Sequence, residues 1–270
     1  MKRSNMHTHT VFCDGRNTPE EMIAQAEELG FVSLGFSSHA SQTMNSFWGL
    51  RDEPGYIERI RALAAQNDRI RIHLGVELDT VAHCEREKYD YILGGIHYFY
   101  RGEEGYPIDH SPEDTRLGAD RIYGGDMMAA CEGYYRTMID MMENMKPDIV
   151  AHYDLMTKCN EDGLLIDEDN PRYRKAAIGA LEAVKAADAL LEVNTGAMAR
   201  GFRTRPYPAP FLLKEWKRMG GRIILGSDCH RSELLDYGFD MAVEYARAAG
   251  FTKISRLGGF GEELFVEEDL

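Results

Sequence analysis

The segment Ser4-Asn5-Met6-His7-Thr8-His9-Thr10 combines a short candidate β-strand, Ser4–His7, with two histidines at its end. Alternate residues of a strand point to the same side, so the imidazoles of His7 and His9 can reach one cation. A His-x-His pair also arises often by chance. The segment therefore indicates a metal site only if the rest of the chain brings further ligands to the same place.

The remainder of the chain repeats the same pattern of a short apolar run followed by a longer amphipathic segment. Strand–helix alternation of this kind predicts an α/β fold, with a parallel sheet that is either closed into a barrel or open and doubly wound. The further candidate strands are Ser33–Ser37, Ile70–Glu77, Tyr89–Ile96, Ile149–His152, Leu190–Asn194 and Ile223–Gly226. The candidate helices are Pro19–Leu29, Pro54–Gln66, Met127–Met145, Tyr173–Ala187, Pro210–Met219 and Ser232–Ala249.

Side chains that can bind a metal lie at the ends of these strands or directly after them. In a parallel barrel the carboxyl ends of all strands meet at one face, so residues distant in sequence become neighbours there. Asp228-Cys229-His230 repeats the alternate spacing of His7 and His9, which makes the combination far more specific than either pair alone. The candidate metal ligands are His7, His9, Asp14, His39, Glu77, His97, His152, Asp228 and His230.

The chemistry of this ligand set indicates the class of metal. Imidazole and carboxylate donors suit Zn, Mn or Fe, and the lack of thiolate ligands argues against a structural zinc site of the cysteine type. Nine ligands are too many for one ion and enough for two or three divalent ions. Cys13 and Cys229 lie beside candidate ligands, where we expect them to be small packing residues.

Six motifs occur in an order that resembles the PHP (polymerase and histidinol phosphatase) superfamily, and within it the monofunctional histidinol-phosphate phosphatases. The resemblance extends from residue 4 to about residue 255, and it implies a distorted (β/α)7 TIM-like barrel with a trinuclear metal centre. We expect one domain, 1–270, in which residues 98–126 form an insertion over the active site. The motifs are His7-Thr8-His9-Thr10 with Asp14-Gly15, Gly35-Phe36-Ser37-Ser38-His39, Gly75-Val76-Glu77, Gly94-Gly95-Ile96-His97, Ala151-His152-Tyr153-Asp154 and Gly226-Ser227-Asp228-Cys229-His230.

The resemblance also implies a role for each ligand. The first ion would be held by His7, His9, Glu77 and Asp228, and Glu77 would bridge to a second ion that His97 and His152 complete. Asp14, His39 and His230 would hold the third ion. We place Glu77, Asp228 and His230 at the centre of catalysis. Three neighbours depart from residues common in the superfamily without removing a ligand, namely Ser38 in place of Asp, Tyr153 in place of Pro and Gly95 in place of Ser.

The expected reaction is hydrolysis of a small phosphate monoester, most specifically L-histidinol phosphate. Metal ions lower the pKa of bound water, so a covalent protein intermediate is unnecessary and we name no catalytic serine or cysteine. Arg200 resembles the phosphate-clamping arginine of the family, and Lys158 is a second candidate. Asp109 and the loop Met44–Trp48 could recognise an imidazole-bearing alcohol. We expect Arg203 and Arg205 to be solvated.

Charge and composition narrow the class of partner. The chain has 270 residues and a formal net charge of −14, with no basic stripe, so we expect no nucleic-acid partner. Five cysteines without a paired motif suit a reducing compartment. No apolar stretch approaches the length of a membrane span, so we expect a cytoplasmic protein with no membrane partner. The sequence leaves the oligomeric state open.

Three other functions fit parts of this pattern. A PHP phosphoesterase acting on a nucleotide, a sugar phosphate or phosphotyrosine would share every ligand and differ only in the pocket. An amidohydrolase-type C–N hydrolase also uses His-x-His on a barrel, although the carbamylated lysine expected for that class is not apparent. A non-catalytic metal-binding module would tolerate loss of ligands, whereas the set here is complete.

Overall fold

The computed structural model describes residues 1–41, 48–102 and 104–270. The strands in these ranges are β1 (Arg3–Asn5), β2 (Phe31–Phe36), β3 (Arg71–Asp79), β4 (Tyr91–Gly95), β5 (Tyr98–Arg101), β6 (Glu104–Pro107), β7 (Ile149–Val150), β8 (Leu190–Asn194), β9 (Ile223–Gly226), β10 (Lys253–Leu257) and β11 (Phe265–Asp269). The α-helices are α1 (Pro19–Glu28), α2 (Glu53–Gln66), α3 (Pro112–Tyr123), α4 (Met127–Asn144), α5 (Pro171–Ala186), α6 (Gly196–Ala199), α7 (Pro210–Arg218) and α8 (Phe239–Ala248).

The main sheet has the strand order β1-β2-β3-β4-β7-β8-β9-β10-β11. Its neighbours are parallel from β1 to β10, and β11 is added antiparallel to β10. Beyond the ends of β1 and β9, a parallel bridge joins Thr8 to Cys229, with hydrogen bonds of 3.1 Å from Cys229 N to His7 O and 2.8 Å from His9 N to Cys229 O. This bridge closes the seven predicted strands into a ring, so the α/β barrel fold predicted from the sequence is confirmed.

A buried apolar cluster fills the inside of the ring below the strand ends. It takes side chains from strands on opposite sides, as expected for a closed barrel whose interior is packed rather than open. The phenol of Tyr91 crosses this interior and donates a 2.6 Å hydrogen bond to Met6 O. The cluster consists of Met6, Tyr91, Leu93, Ile149, Ala151, Leu190, Ile224 and Leu257.

Five of the six predicted helices begin within two residues of the predicted start. Thr18 caps α1 by accepting a hydrogen bond from Glu21 N, and the Glu21 carboxylate accepts one from Thr18 N at 2.9 Å, with Pro19 in the first turn. This reciprocal pair satisfies two amide groups that the helix itself cannot. The predicted helix Ser232–Ala249 is wrong in its first third, because Gly238 adopts a left-handed φ of 72° and α8 begins only at Phe239.

Residues 98–126, predicted to be poorly periodic, contain regular structure. Strands β5 and β6 form an antiparallel hairpin, and α3 follows with Ser111 as its N-cap and Gly124 at its end. The hairpin escaped the sequence analysis because its strands have only four residues each. The residue Ile108, just beyond the hairpin, donates a backbone hydrogen bond of 3.0 Å to His97 O, which ties the segment to the strand end that carries a candidate ligand.

Candidate metal centre

The strand ends bring all nine candidate ligands together in four overlapping groups. Within each group the ligand atoms lie within 4.8 Å of one another. The ligands come from segments that are as much as 223 positions apart, from His7 to His230, and the barrel is what makes them neighbours. The groups are His9 with Asp14, His39 and His230; His7 with Glu77 and His152; His7 with His9 and Asp228; and His39 with Glu77 and His97.

Glu77 lies at the centre of the site and is 1% exposed. Its Oε1 lies 2.8 Å from His152 Nε2 and 3.4 Å from His97 Nε2. Its Oε2 lies 3.2 Å from His7 Nε2, 3.5 Å from His9 Nε2 and 2.9 Å from His39 Nδ1. The two oxygens therefore face different sets of imidazoles, which is the geometry that a carboxylate shared between two cations requires.

Asp228 and Asp14 are the other two carboxylates of the cluster, and both lie beside His9. Asp228 Oδ1 lies 3.3 Å from His9 Nε2 and 3.6 Å from His7 Nε2. Asp14 Oδ2 lies 3.1 Å from His230 Nε2, while its Oδ1 lies 3.8 Å from His39 Nε2. His39 thus faces Glu77 with one nitrogen and Asp14 with the other. The sequence analysis grouped His39 with Asp14 and His230 alone, so the geometry adds a second neighbour to that grouping.

The donor set fits divalent cations. Among the described residues, His9 Nε2 and Asp14 Oδ1 are buried and have no hydrogen-bond partner, although both point into the cluster. Burial would raise the pKa of the Glu77 carboxyl, but His39, His7 and His97 hold it well below its usual range. A carboxylate that is ionised and buried among imidazoles satisfies the requirement that metal ligands be deprotonated.

A buried glutamate that the sequence analysis missed supports two of the ligands. Glu192, in β8, is fully buried, and its Oε1 lies 2.7 Å from His7 Nδ1. Its Oε2 accepts hydrogen bonds of 2.8 Å from the backbone N of His152 and from Asn194 Nδ2. Donation from His7 Nδ1 leaves Nε2 free to face the centre, which is how outer carboxylates orient ligating histidines. The signal was a charged residue within the apolar strand Leu190–Asn194.

Asp79 supports His97 in the same way on the other side of Glu77. Asp79 Oδ2 accepts a 2.9 Å hydrogen bond from His97 N and lies 3.1 Å from His97 Nδ1. Tyr100 donates a hydrogen bond of 3.0 Å to Asp79 Oδ1. His97 is therefore held at both its backbone and its ring, with Nε2 directed at Glu77.

The backbone at the site is unusual at two ligands. His152 and Asp228 have positive φ angles of 24° and 48°, a region that non-glycine residues adopt at an energetic cost and that is enriched at functional sites. Gly95, where a serine is common in the superfamily, is constrained as well. A Cβ at that position would lie 2.8 Å from Glu77 Oε1 and 2.9 Å from His97 Cε1, so here the close approach of the ligands favours glycine.

A cleft of about 730 Å³ opens from the ligands to the surface, and it includes the three candidate substrate-binding residues. Arg200 donates a 2.7 Å hydrogen bond to Asp228 Oδ2, so it is anchored beside the ligands. Lys158 Nζ lies 2.9 Å from Asp109 Oδ2, and both side chains line the cleft. Of the predicted aromatic loop Met44–Trp48, Trp48 lines the cleft, and residues 44–47 lie outside the described residues.

Four further arginines can be compared with the sequence analysis. Arg16 and Arg231 line the cleft and were not predicted to do so. The prediction that Arg203 is solvated is wrong, because it is 4% exposed and its guanidinium bonds to Thr157. Arg205 is partly exposed and pairs with Glu168 at 3.1 Å. In the sequence all of them stand in polar loops, where nothing distinguishes a buried arginine from an exposed one.

A comparison with protein-family models identifies this arrangement. The model of the PHP domain matches residues 5–196, which is most of the chain. The chain belongs to the PHP family. The matched region contains the candidate ligands from His7 to His152, and the remaining two, Asp228 and His230, lie beyond it, directly after β9.

Individual relatives agree with this assignment over nearly the full chain. A protein of Deinococcus radiodurans named "Probable histidinol-phosphatase" is 29% identical in an alignment of 261 residues that covers 90% of this chain and 92% of the relative. The histidinol-phosphatase of Saccharomyces cerevisiae is 23% identical, over 86% of this chain and 71% of its own. The structure of histidinol phosphate phosphatase from Lactococcus lactis, solved with zinc, L-histidinol and phosphate, has a TM-score of 0.71 at 20% identity and covers 94% of this chain and 96% of its own.

Proposed function

We propose that this chain is a metal-dependent phosphomonoesterase that hydrolyses L-histidinol phosphate to L-histidinol and phosphate. The observation that carries the proposal is the cluster of nine candidate imidazole and carboxylate ligands, Glu77 among them, beside a cleft that four cationic side chains line. Relatives named as histidinol-phosphatases that match most of the chain support the choice of substrate.

The charge of the cleft favours an anionic substrate. The chain as a whole carries a net charge of −14, yet this cleft is lined by four cationic side chains against three carboxylates, two of which the proposal assigns to metal ions. The cations are Arg16, Lys158, Arg200 and Arg231, and the carboxylates are Asp14, Asp109 and Asp228. Guanidinium groups match the geometry of phosphate oxygens, and cations concentrated in a cleft attract anions selectively. A phosphate group that entered the cleft would meet these side chains next to the metal ligands.

In this proposal each group of ligands has a defined task. His7, His9, Glu77 and Asp228 would hold one divalent ion, His97 and His152 with Glu77 a second, and Asp14, His39 and His230 a third. Such ions supply a Lewis acid and lower the pKa of bound water. Glu192 and Asp79 would keep the imidazoles oriented, and Arg200, anchored on Asp228, would stabilise the negative charge of the phosphate.

The organic part of the substrate would occupy the outer cleft. Asp109 pairs with Lys158 through Oδ2, so its other oxygen can accept a hydrogen bond from an amino or imidazolium group. Trp48 and Tyr98 line the same region and offer apolar faces to an imidazole ring. Residues 98–126, which contribute Tyr98, Pro107, Asp109 and His110 to the lining, are proposed as the insertion over the active site of a single domain, 1–270.

A panel of substrates tests the proposal. We expect the metal-loaded protein to release phosphate from L-histidinol phosphate with a higher kcat/KM than from nucleotides, sugar phosphates or phosphotyrosine. Faster turnover of another monoester would reassign the substrate within the same chemistry. Turnover of an amide with no turnover of any phosphate ester would favour a C–N hydrolase. A fully metal-loaded sample that is inert toward all of them would favour a non-catalytic metal-binding module.

Replacing Arg200 with alanine is expected to weaken substrate binding. A charge-assisted hydrogen bond to phosphate contributes about 1.5–3 kcal/mol, so KM should rise roughly 10- to 100-fold with metal content unchanged. Steady-state kinetics with metal analysis of the same sample checks this. The matched control is Arg218→Ala, because Arg218 is exposed and, among the described residues, its side chain bonds only to Glu215 of its own helix. An unchanged KM in Arg200→Ala would remove Arg200 from the phosphate site.

The other expectations concern location and partners. Within the described ranges, no helix combines the length and the apolar character that crossing a bilayer demands. A cytoplasmic location and the lack of a nucleic-acid partner stay predictions from charge and cysteine usage.

A further inference from the structure

Two loops form the wall of the cleft that carries the candidate phosphate-binding side chains. The β7 loop, residues 151–170, contains Lys158. The α6 loop, residues 200–209, contains Arg200 and Phe202. From the β7 loop, Lys158 reaches toward the α6 loop: its Nζ lies 5.0 Å from the centre of the Phe202 ring and 2.9 Å from Asp109 Oδ2.

Arg203 joins these two loops from the inside. Its side chain is almost completely buried, and its Nη1 donates a 2.8 Å hydrogen bond to Thr157 O and a second bond to Thr157 Oγ1. The guanidinium also lies 5.1 Å from the centre of the Tyr207 ring. Burying a guanidinium is costly unless hydrogen bonds and charges compensate it, so a buried arginine between two loops indicates a specific structural task.

Further bonds connect the same two loops around Arg203. Ala209 N donates to Asp154 Oδ2 at 2.9 Å, and Thr204 donates through its backbone N to Glu161 Oε1 at 3.2 Å. Arg205 pairs with Glu168 at 3.1 Å. The contact between Arg203 and Thr157 differs from these in its position along the chain. Lys158 directly follows Thr157, and Phe202 directly precedes Arg203.

We propose that Arg203 is a positioning residue for the phosphate site, which fixes the Thr157 backbone and thereby holds Lys158 against Phe202 and Asp109 in the cleft that Arg200 also lines. This inference rests on the proposed function, since it concerns how the cleft binds phosphate. Lys158 has a long, flexible side chain whose placement costs entropy, and an anchored backbone with an aromatic support reduces that cost before substrate arrives. Arg203 itself is buried behind the wall and acts through its neighbours.

Binding of inorganic phosphate to the metal-loaded chain, measured by isothermal titration calorimetry, tests the inference independently of the ester that is hydrolysed. We expect Arg203→Met to raise the Kd of phosphate about tenfold with metal content unchanged, and Arg203→Lys, which keeps the charge and one donor, to raise it less. Arg218→Met serves as the control for loss of an exposed arginine. If Arg203→Met does not fold, Arg203→Lys decides, and an unchanged Kd in that folded variant would overturn the inference.

A double-mutant cycle separates positioning from general structural support. If Arg203 acts through Lys158, then Lys158→Ala alone weakens phosphate binding, and adding Arg203→Met to it changes the Kd less than twofold, because coupled residues are not additive. Full additivity, or an unaltered Kd in Lys158→Ala, would overturn the inference. The two proposals can fail separately. If the variants change phosphate binding as expected but the wild-type chain hydrolyses no monoester, the proposed function is contradicted and the inference about Arg203 stands.

Discussion

Replacing Glu77 with glutamine is expected to abolish phosphatase activity, with a loss of at least about a thousandfold, and to lower metal content. The side chain keeps its size, but one oxygen becomes an amide nitrogen that cannot ligate, directed either at His97 and His152 or at His7, His9 and His39. The expected loss exceeds the 10- to 100-fold typical of residues that only orient a ligand. Metal analysis by mass spectrometry and kinetics on the same sample provide the measurement.

The matched control for this change is Glu244→Gln. It removes the same charge from an exposed glutamate that forms an ion pair with Arg247 in its own helix, so metal content and rate should stay at wild-type values. If Glu77→Gln retained both its full metal content and its rate, the assignment of a carboxylate shared between two ions would be wrong.

Replacing Glu192 with glutamine is expected to weaken metal binding by about 10- to 100-fold, as for other carboxylates that orient ligating histidines. Glu192 bonds to the ring of His7 and to the backbone of His152, so one substitution loosens two ligands at once. The neutral amide also lacks the negative charge of Glu192, which would make the His7 imidazole more basic and so a stronger metal ligand. Competition with a chromophoric zinc chelator measures the affinity directly, without requiring a substrate.

Two features keep the Glu192 prediction testable. The barrel leaves little room around this side chain, since a Cβ at Gly226 would lie only 1.9 Å from Glu192 Oε1, and glutamine has nearly the same volume as glutamate. We therefore expect the variant to fold, and a circular-dichroism melt checks that it does. An intact Glu192→Gln variant with wild-type zinc affinity would show that Glu192 does not orient the ligands.

The convergence of the site could be predicted because it depends only on local patterns and on one property of parallel barrels. Each candidate strand is recognisable from its apolar run, and most candidate ligands lie at the end of a predicted strand or within a few residues of it, as Glu77 and Asp228 illustrate. Once the strands are parallel, their carboxyl ends must meet. The order of the motifs then indicates the PHP family.

What the sequence could not provide were contacts between residues distant along the chain. Glu192 and His7 are 185 positions apart, and Arg203 meets Thr157 across 46 positions. Neither contact follows from periodicity, because a polar residue in a loop or a single charge in a strand looks alike whether it is buried or exposed. The hairpin of β5 and β6 was missed for a related reason, since strands of four residues carry too little alternation to be recognised.

The number of metal ions bound per chain is the most direct test of the central claim. The metal-free protein is reconstituted with zinc, desalted, and analysed for zinc and protein by inductively coupled plasma mass spectrometry. The nine candidate ligands, which include Glu77, predict two or three tightly bound ions per chain. A ratio of one or less, in protein that is folded, would contradict the account.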